Sequence, residues 1–161
     1  MAYSVPQDSP AFRLIPASKN LITKAAELNE ATSRLAKTIE DIEAGLQKLN
    51  LGISAWVSLS SSEDGDSSES LGYGKLNGQW RLLLRKYRYD GGGDVVGYED
   101  TFLFAAPRET RMYAAGELQK LFLTLAKEAE DLTGKINGKL RSADFLAEIL
   151  ATVPDPKAVK K

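Results

Sequence analysis

The feature that most constrains the fold is a run of mostly apolar residues, alternately four and three positions apart, in the first third of the chain. The run consists of Leu21, Ala25, Leu28, Thr32, Leu35, Ile39, Ile42, Leu46 and Leu49. Because an α-helix turns once in about 3.6 residues, this spacing places the whole run on one narrow stripe. Ser18 is a suitable N-cap, and Asn50 and Gly52 are suitable residues to end the helix. The sequence therefore predicts a long helix from residue 18 to residue 49.

Such a helix is longer than any sheet it could cover. It would span roughly 48 Å, whereas a strand of six or seven residues spans only about 22 Å. The excess length and the narrow stripe favour a helical partner, so we expect a homo-oligomer formed through the N-terminal helix. The expected oligomer contacts are Leu28, Leu35, Ile39, Ile42 and Leu46. The alternative is a core helix packed wholly within its own chain, and the sequence leaves both possibilities open.

After Gly52 the period of the pattern changes to two, which is typical of half-buried strands. The predicted strands cover residues 53–59, 71–76, 79–89 and 95–104. Asn77-Gly78, between the second and third, is the strongest short signal of a two-residue hairpin. An acidic, serine-rich loop at residues 60–70 and a glycine-rich turn at residues 90–94 make the other two connections. Three consecutive antiparallel connections predict a four-stranded meander.

The Asn77-Gly78 turn also predicts which residues of the hairpin lie opposite each other. The expected pairs are Lys75 with Trp80, Gly74 with Arg81, Tyr73 with Leu82, Gly72 with Leu83, and Leu71 with Leu84. One face of the sheet then carries the large apolar side chains and packs beneath the helices. The other face receives two glycines and two arginines, which predicts a shallow trough with Trp56 and the arginines at its sides.

The last third of the chain predicts helices again. A helical stripe from Met112 to Ile136 indicates a helix over residues 108–133, and a short helix from Ser142 to Leu150 follows a stretch weakened by two glycines. We therefore expect an α+β fold in which a long N-terminal helix and C-terminal helices pack on one face of a four-stranded antiparallel meander.

The chain is short enough to form one domain. Its 161 residues are of ordinary single-domain size. Prolines punctuate residues 1–17, which predicts an extended arm, and residues 152–161 look like a flexible basic tail. The single α+β domain is therefore expected at residues 18–151.

Composition excludes much chemistry. The chain has no cysteine and no histidine, so disulfides, thiolate ligands and the commonest general base are absent. No grouping of lysine, tyrosine and carboxylate residues identifies a catalytic centre, and we expect no enzyme, no cofactor and no metal site. The formal net charge of −1 gives no general attraction to nucleic acids or anionic membranes. The sequence contains no membrane-spanning run and no leader peptide, so we expect a cytoplasmic protein.

The candidate ligand site is the sheet face that the helices leave open. Its predicted residues are Trp56, Arg81, Arg85 and Tyr87. Aromatic rings interleaved with arginines on a sheet can stack a base and hold a phosphate, so nucleotides or single-stranded nucleic acids are possible ligands. The alternative is that the arginines pair across the strands with Glu99 or Thr101. We expect a non-catalytic, oligomeric interaction or ligand-sequestering module, with nucleotide binding as the second hypothesis.

Overall fold

The computed structural model of the protein describes the backbone of residues 10–61 and 67–152 and the side chains of residues 16–59 and 67–152. The elements are, in chain order, α1 (Pro10–Leu49), β1 (Ala55–Ser61), β2 (Ser67–Leu76), β3 (Gln79–Tyr89), β4 (Val95–Phe102), a 3-10 turn (Leu103–Ala105) and α2 (Arg108–Ala151). Both helices pack on a four-stranded antiparallel sheet. The predicted α+β fold is therefore confirmed.

The sheet is the predicted meander, with strand order β1-β2-β3-β4. Asn77 and Gly78 both have positive φ, 51° and 82°, which a type I′ turn requires. All five residue pairs predicted for the β2–β3 hairpin are present. β2 is four residues longer than predicted, because residues 67–70 of the serine-rich segment pair with residues 85–88 of β3. β3 has the predicted bounds, β1 lies two residues later than predicted, and β4 ends two residues earlier. The centre of that segment, residues 62–66, lies outside the described residues.

Helix α1 begins eight residues earlier than its predicted N-cap at Ser18. The predicted extended arm therefore differs from the structure over residues 10–17, and its first nine residues lie outside the described part of the chain. Pro10 suits the first turn of a helix, where a backbone N–H has no helical partner. Pro16 lies inside the helix and removes one intrahelical hydrogen bond, which usually ends a helix. Here the helix continues through it.

Helix α2 is one continuous element of 44 residues rather than the predicted helix and separate short helix. Gly134 and Gly138 do not interrupt it, since each costs only about 1 kcal/mol relative to alanine while propagation of an existing helix is cooperative. The predicted flexible tail begins at Thr152, a turn residue, and the rest of it lies outside the described residues.

One hydrophobic core lies between the two helices and one face of the sheet, here called the inner face. The inner face contributes Ala55, Val57, Leu71, Tyr73, Leu82 and Leu84; the helices contribute Ile39, Leu46, Ala114, Leu118, Leu121 and Leu125. Leu103 of the 3-10 turn completes this core. Side chains alternate between the inner and outer faces along the strands, and the inner apolar positions of β1, β2 and β3 are the ones that enter this core.

The α1 stripe is divided between two environments. Ile39 and Leu46 are buried in the chain's own core, and Leu35 and Ile42 are partly buried against it. Leu28 is 48% exposed. Four of the five residues predicted as oligomer contacts therefore pack within the chain. The exposed parts of the stripe are its N-terminal part and Leu49 at its C-terminal end, which is 62% exposed.

We call the sheet and the helix segments that pack on it the body of the protein. About half of each helix extends beyond this body. All residues from 16 to 31 in α1, and all from 130 to 151 in α2, are exposed. We call these segments the α1 free half and the α2 free half. The α2 free half exposes Leu132, Ile136, Leu140, Phe145, Leu146, Ile149 and Leu150, and the α1 free half exposes Leu21, Ile22 and Leu28. Because every residue of both segments is exposed, the free halves do not pack against each other within the chain.

Two polar residues of α1 cover the open edge of β3 where β4 has ended. Glu43 accepts a hydrogen bond of 2.8 Å from the Leu82 backbone N–H, and Gln47 donates one of 2.8 Å to the Trp80 carbonyl. A spacing of four places both side chains on one face of the helix. Burial, together with the charge of Glu43, also raises the pKa of Tyr73. The helix thus supplies the partners that a fifth strand would otherwise provide.

The divided stripe predicts two different outcomes for the same substitution. Leu46→Ala removes a side chain that is 2% exposed, so it should lower the free energy of unfolding by about 2–5 kcal/mol. Leu21→Ala, at a position 70% exposed, should change it by less than about 0.5 kcal/mol. Urea unfolding of dilute samples measures both. Equal effects would mean that the body extends further along α1 than described.

Candidate functional site

The face of the sheet opposite the core, here called the outer face, carries all the predicted ligand residues. The residues of this face are Trp56 from β1, Gly72 and Gly74 from β2, and Arg81, Leu83, Arg85 and Tyr87 from β3. Their placement follows from the register set by the Asn77-Gly78 turn, since side chains alternate between faces. The sequence therefore predicted correctly which residues share this face.

The predicted trough is filled by Trp56. The indole lies over Gly72, so that a β-carbon there would overlap its six-membered ring. A β-carbon at Gly74 would lie 3.4 Å from both Trp56 and Leu83, which is ordinary contact. Leu83 beside this indole is only 1% exposed. The two glycines thus admit a flat aromatic cover rather than leaving an open groove.

Arg85 is held on three sides. Its Nε and Nη2 donate hydrogen bonds of 2.7 and 2.8 Å to the two carboxylate oxygens of Asp100. The guanidinium also stacks between the rings of Trp56 and Tyr98, at 3.8 and 4.2 Å from their centroids. The hydrogen bonds to Asp100 raise the pKa of Arg85 still further above its usual value. A paired, stacked and mostly buried guanidinium is typical of a structural ion pair.

The partner of Arg85 is Asp100 rather than Glu99 or Thr101, the two residues named from the sequence. Asp100 lies opposite Arg85 on the outer face, whereas Glu99 and Thr101 lie opposite Lys86 and Leu84 on the inner face. A shift of one residue moves a side chain to the other side of a sheet. The β3–β4 connection has no two-residue turn, and the register shifts between Arg88 and Tyr89, so the sequence did not specify this pairing.

Arg81 leaves the outer face and turns around the sheet edge. Its Nη1 donates a hydrogen bond to a carboxylate oxygen of Glu43 in α1. The guanidinium also lies 5.8 Å from the ring centroids of both Phe102 and Phe104. Arg81 therefore links the sheet edge to α1, and it is separate from the Trp56–Arg85 stack. The outer face does not bring the two arginines together as one anion site.

Tyr87 pairs with Tyr98 on the neighbouring strand, with the ring centroids 6.1 Å apart. Together with the Trp56–Arg85 stack, this contact makes the outer face a small second core of aromatic rings around one ion pair. The most exposed aromatic residue of this group is Tyr98, which is 57% exposed. Both arginines of this set already have carboxylate partners. Ligand binding by Trp56, Arg81, Arg85 and Tyr87 stays a prediction.

A separate hollow of about 390 Å³ lies on the inner face, between β3–β4 and the start of α2. Its lining includes Glu69, Lys86 and Glu99, which are neighbours across three strands. One lysine between two glutamates leaves an excess of a single negative charge. Apolar residues such as Leu84 and Ala106 complete the wall, and the arrangement selects no particular class of ligand.

Comparison with known proteins gives no relatives: the chain matches no protein family, no curated protein sequence and no solved structure. The chain has no histidine or cysteine, and within the described residues no three Asp or Glu side chains are grouped as metal ligands would be. None of the helices in the described ranges contains a stretch that is both long and apolar enough to cross a membrane.

The features that sequence reasoning missed are Glu43, Asp100 and the α2 free half. Glu43 follows Ile39 by four and precedes Leu46 by three, so its position beside the stripe was a signal that it faces the body. Asp100 could not be separated from its neighbours without the register. The α2 stripe is visible in the sequence, but Gly134 and Gly138 predict a break in the helix that the structure does not have.

The fit of Trp56 over β2 can be tested with two matched substitutions. Gly72→Ala should lower the unfolding free energy by about 1–3 kcal/mol, because the added methyl group displaces the indole. Gly74→Ala should cost less than about 0.5 kcal/mol, because its methyl group meets only ordinary contacts. Thermal melts followed by tryptophan fluorescence measure the difference. Equal melting temperatures would show that the indole does not lie where described.

The Arg85–Asp100 pair predicts a loss of stability on breaking it. Arg85→Ala and Asp100→Ala should each cost about 2–4 kcal/mol, and a double-mutant cycle should show a coupling of about 1–3 kcal/mol. Lys86→Ala, at the exposed neighbouring position, serves as the control. The ligand hypothesis expects the reverse: unchanged stability, with loss of affinity in a titration against a panel of nucleotides.

Proposed function

We propose that the chain is a non-catalytic homo-oligomeric interaction module, whose compact α+β body carries two free helix halves through which copies assemble. The observation that supports this most directly is that every residue of 16–31 and 130–151 is exposed, including several large apolar side chains. An exposed, continuous apolar stripe is typical of a protein interface. The proposed assembly surface is therefore the α1 free half, rather than the whole α1 stripe, together with the α2 free half.

The chain exposes far more surface than a compact monomer of its size. Its accessible surface is 12,497 Å², whereas size scaling gives roughly 7,900 Å² for a folded monomer of 17.6 kDa. The exposed free halves contribute to this excess. Surface of this extent is favourable to bury, at about 25 cal/mol for each Å² of apolar area.

Helix energetics support the same proposal. Isolated helices in water are marginal even when rich in alanine, and the α2 free half contains two glycines that each cost about 1 kcal/mol. Most helical stability in proteins comes from packing of an apolar face. Contact with a partner supplies that packing for a segment that its own body leaves uncovered.

The nucleotide-binding alternative receives less support. A phosphate that takes the Nε and Nη2 donors of Arg85, or the Nη1 donor of Arg81, displaces the carboxylate that these donors already hold. Displacement leaves a largely desolvated carboxylate unpaired, which is costly. The outer face therefore contributes to the stability of the body, and the assembly proposal does not depend on it.

The proposal predicts concentration-dependent assembly. Light scattering of the purified chain should give a mass larger than 17.6 kDa at micromolar concentration. The paired substitution Leu132→Glu and Ile136→Glu should lower that mass, because it places charges within the exposed stripe of α2. These positions are exposed in the single chain, so the melting temperature of the body should not change.

A matched control adds the same charge outside the stripe: Asn137→Glu with Ser142→Glu should leave the mass unchanged. Leu21→Glu with Leu28→Glu applies the same test to the α1 free half. A mass that stays at 17.6 kDa over all concentrations contradicts the proposal.

A further inference from the structure

The apolar stripe of the α2 free half continues the stripe that packs on the sheet. Leu118 and Leu125 are buried against the core, and the same spacing continues to Leu132 and Ile136 beyond the end of the sheet. On this continuous stripe lie Leu118, Leu125, Ala129, Leu132, Ile136, Leu140, Ala143, Ala147 and Leu150. A partner of the free half therefore occupies the same side of α2 as the sheet does, but further along the helix.

We propose that this partner is the α2 free half of a second copy, packed antiparallel about a two-fold axis at Leu140. The inference rests on the proposed function and names the contact and its direction. Three features of the described chain support it: the steric position of the sheet, the length of the free half, and the sizes of the residues along the stripe.

The position of the sheet excludes a parallel pair. In a parallel pair the two sheets would lie at the same level, both between the two helices. Residues 125 and 132 are only about 10 Å apart along the helix. Straight helices cannot converge, over that length, from a separation that holds two sheets to the 8–10 Å of packed helices. In an antiparallel pair the two sheets lie at opposite ends of the contact and do not meet.

The length of the free half determines the position of the axis. With the axis at Leu140, the end of one helix at Ala151 lies level with residue 129 of the other, just past Leu125, the last buried residue of α2. An axis nearer the body would drive the helix end into the partner's sheet. An axis nearer the tip would leave Leu132 and Ile136 uncovered.

This register also places large residues opposite small ones. Leu132 lies within one residue of the level of Ala147 of the second copy, and Ile136 lies within one residue of the level of Ala143. At the ends of the contact, Ala129 lies within one residue of the level of Leu150. Alternation of large and small residues across facing positions lets two helices interdigitate without voids.

The surface at the centre of the stripe is slightly concave. A shallow hollow on α2 is lined by Lys135, Ile136, Lys139, Leu140 and Ala143. In antiparallel register this hollow lies opposite Leu140 of the second copy, so that the leucine enters it as a knob enters a hole. The lysine stems at its sides supply methylene groups, while their charges reach solvent.

The area is sufficient for a specific but modest contact. Five large side chains on or beside the stripe are 40–69% exposed: Leu132, Ile136, Leu140 and Leu150 lie on it, and Leu146 lies at its edge. If each buries roughly 100 Å², two copies together bury about 1,000 Å², which is the lower end for a specific interface. Phe145 and Ile149 lie off this stripe and stay exposed in the pair.

The chain has no cysteine, so single cysteines can carry spin labels at chosen positions. Labels at Glu130, Arg141 and Glu148 lie on the side of α2 away from the stripe. In the antiparallel pair the labels at 141 are separated along the axis by only about 3 Å, those at 148 by about 24 Å and those at 130 by about 30 Å. The expected result is therefore a minimum of the interchain distance at 141.

Each other outcome overturns the inference, and the mass of the labelled samples distinguishes the reasons. Equal distances at all three positions indicate a parallel pair. Distances with a minimum elsewhere indicate a different axis. An assembled sample with no short distance at 141 leaves the proposed function standing but places the contact on another surface. A monomeric sample without interchain signal contradicts both proposals.

Leu140→Asp should reduce the fraction of assembled chain at a fixed micromolar concentration at least tenfold, since it places two like charges at the axis. Asn137→Asp, one turn away and off the stripe, should leave that fraction within twofold of the parent. Equal loss for both variants would show that added negative charge, rather than the position on the stripe, controls assembly.

Discussion

The length of the helices relative to the sheet is the constraint on which the rest of the structure depends. Forty residues of α1 and 44 of α2 span about 60 and 66 Å, whereas the longest strand, with 11 residues, spans about 36 Å. No arrangement on one such sheet can bury both helices along their whole length. The body therefore uses one half of each helix, and the other halves retain apolar stripes that stay exposed in the described part of the chain.

The sequence predicted most of the fold because its strongest signals are local. The alternation of four and three along α1 and the positive φ that Asn77-Gly78 can adopt act over a few residues, and both gave correct elements and correct register. The division of the α1 stripe between Leu28 and Leu35 could not be predicted in the same way. The stripe itself is unbroken there, and only the position of the sheet determines where burial ends.

The outer face shows the same limit at a smaller scale. Sequence pattern placed Trp56 and Arg85 on one face, which the structure confirms. It could not show that the indole lies over Gly72 or that Asp100 takes both donors of the guanidinium fork. Those contacts depend on the β3–β4 register and on the bulge beside it, neither of which has a local signature. In this chain, residues of a type that often binds anions cover a small second core on the outer face.

Stability and assembly are consequently carried by different residues of the same helices. Substitutions within the body act through buried contacts such as those of Leu46 or Glu43, whereas every residue of the two free halves is exposed. A helical segment with Gly134 and Gly138 and no covering partner has low local stability, so its backbone opens more readily than the body does. Any partner that binds the helical form then shifts this local equilibrium by mass action. Assembly would therefore order the free half of α2 far more than it would stabilise the sheet, and the two glycines set how strongly the helix depends on its partner.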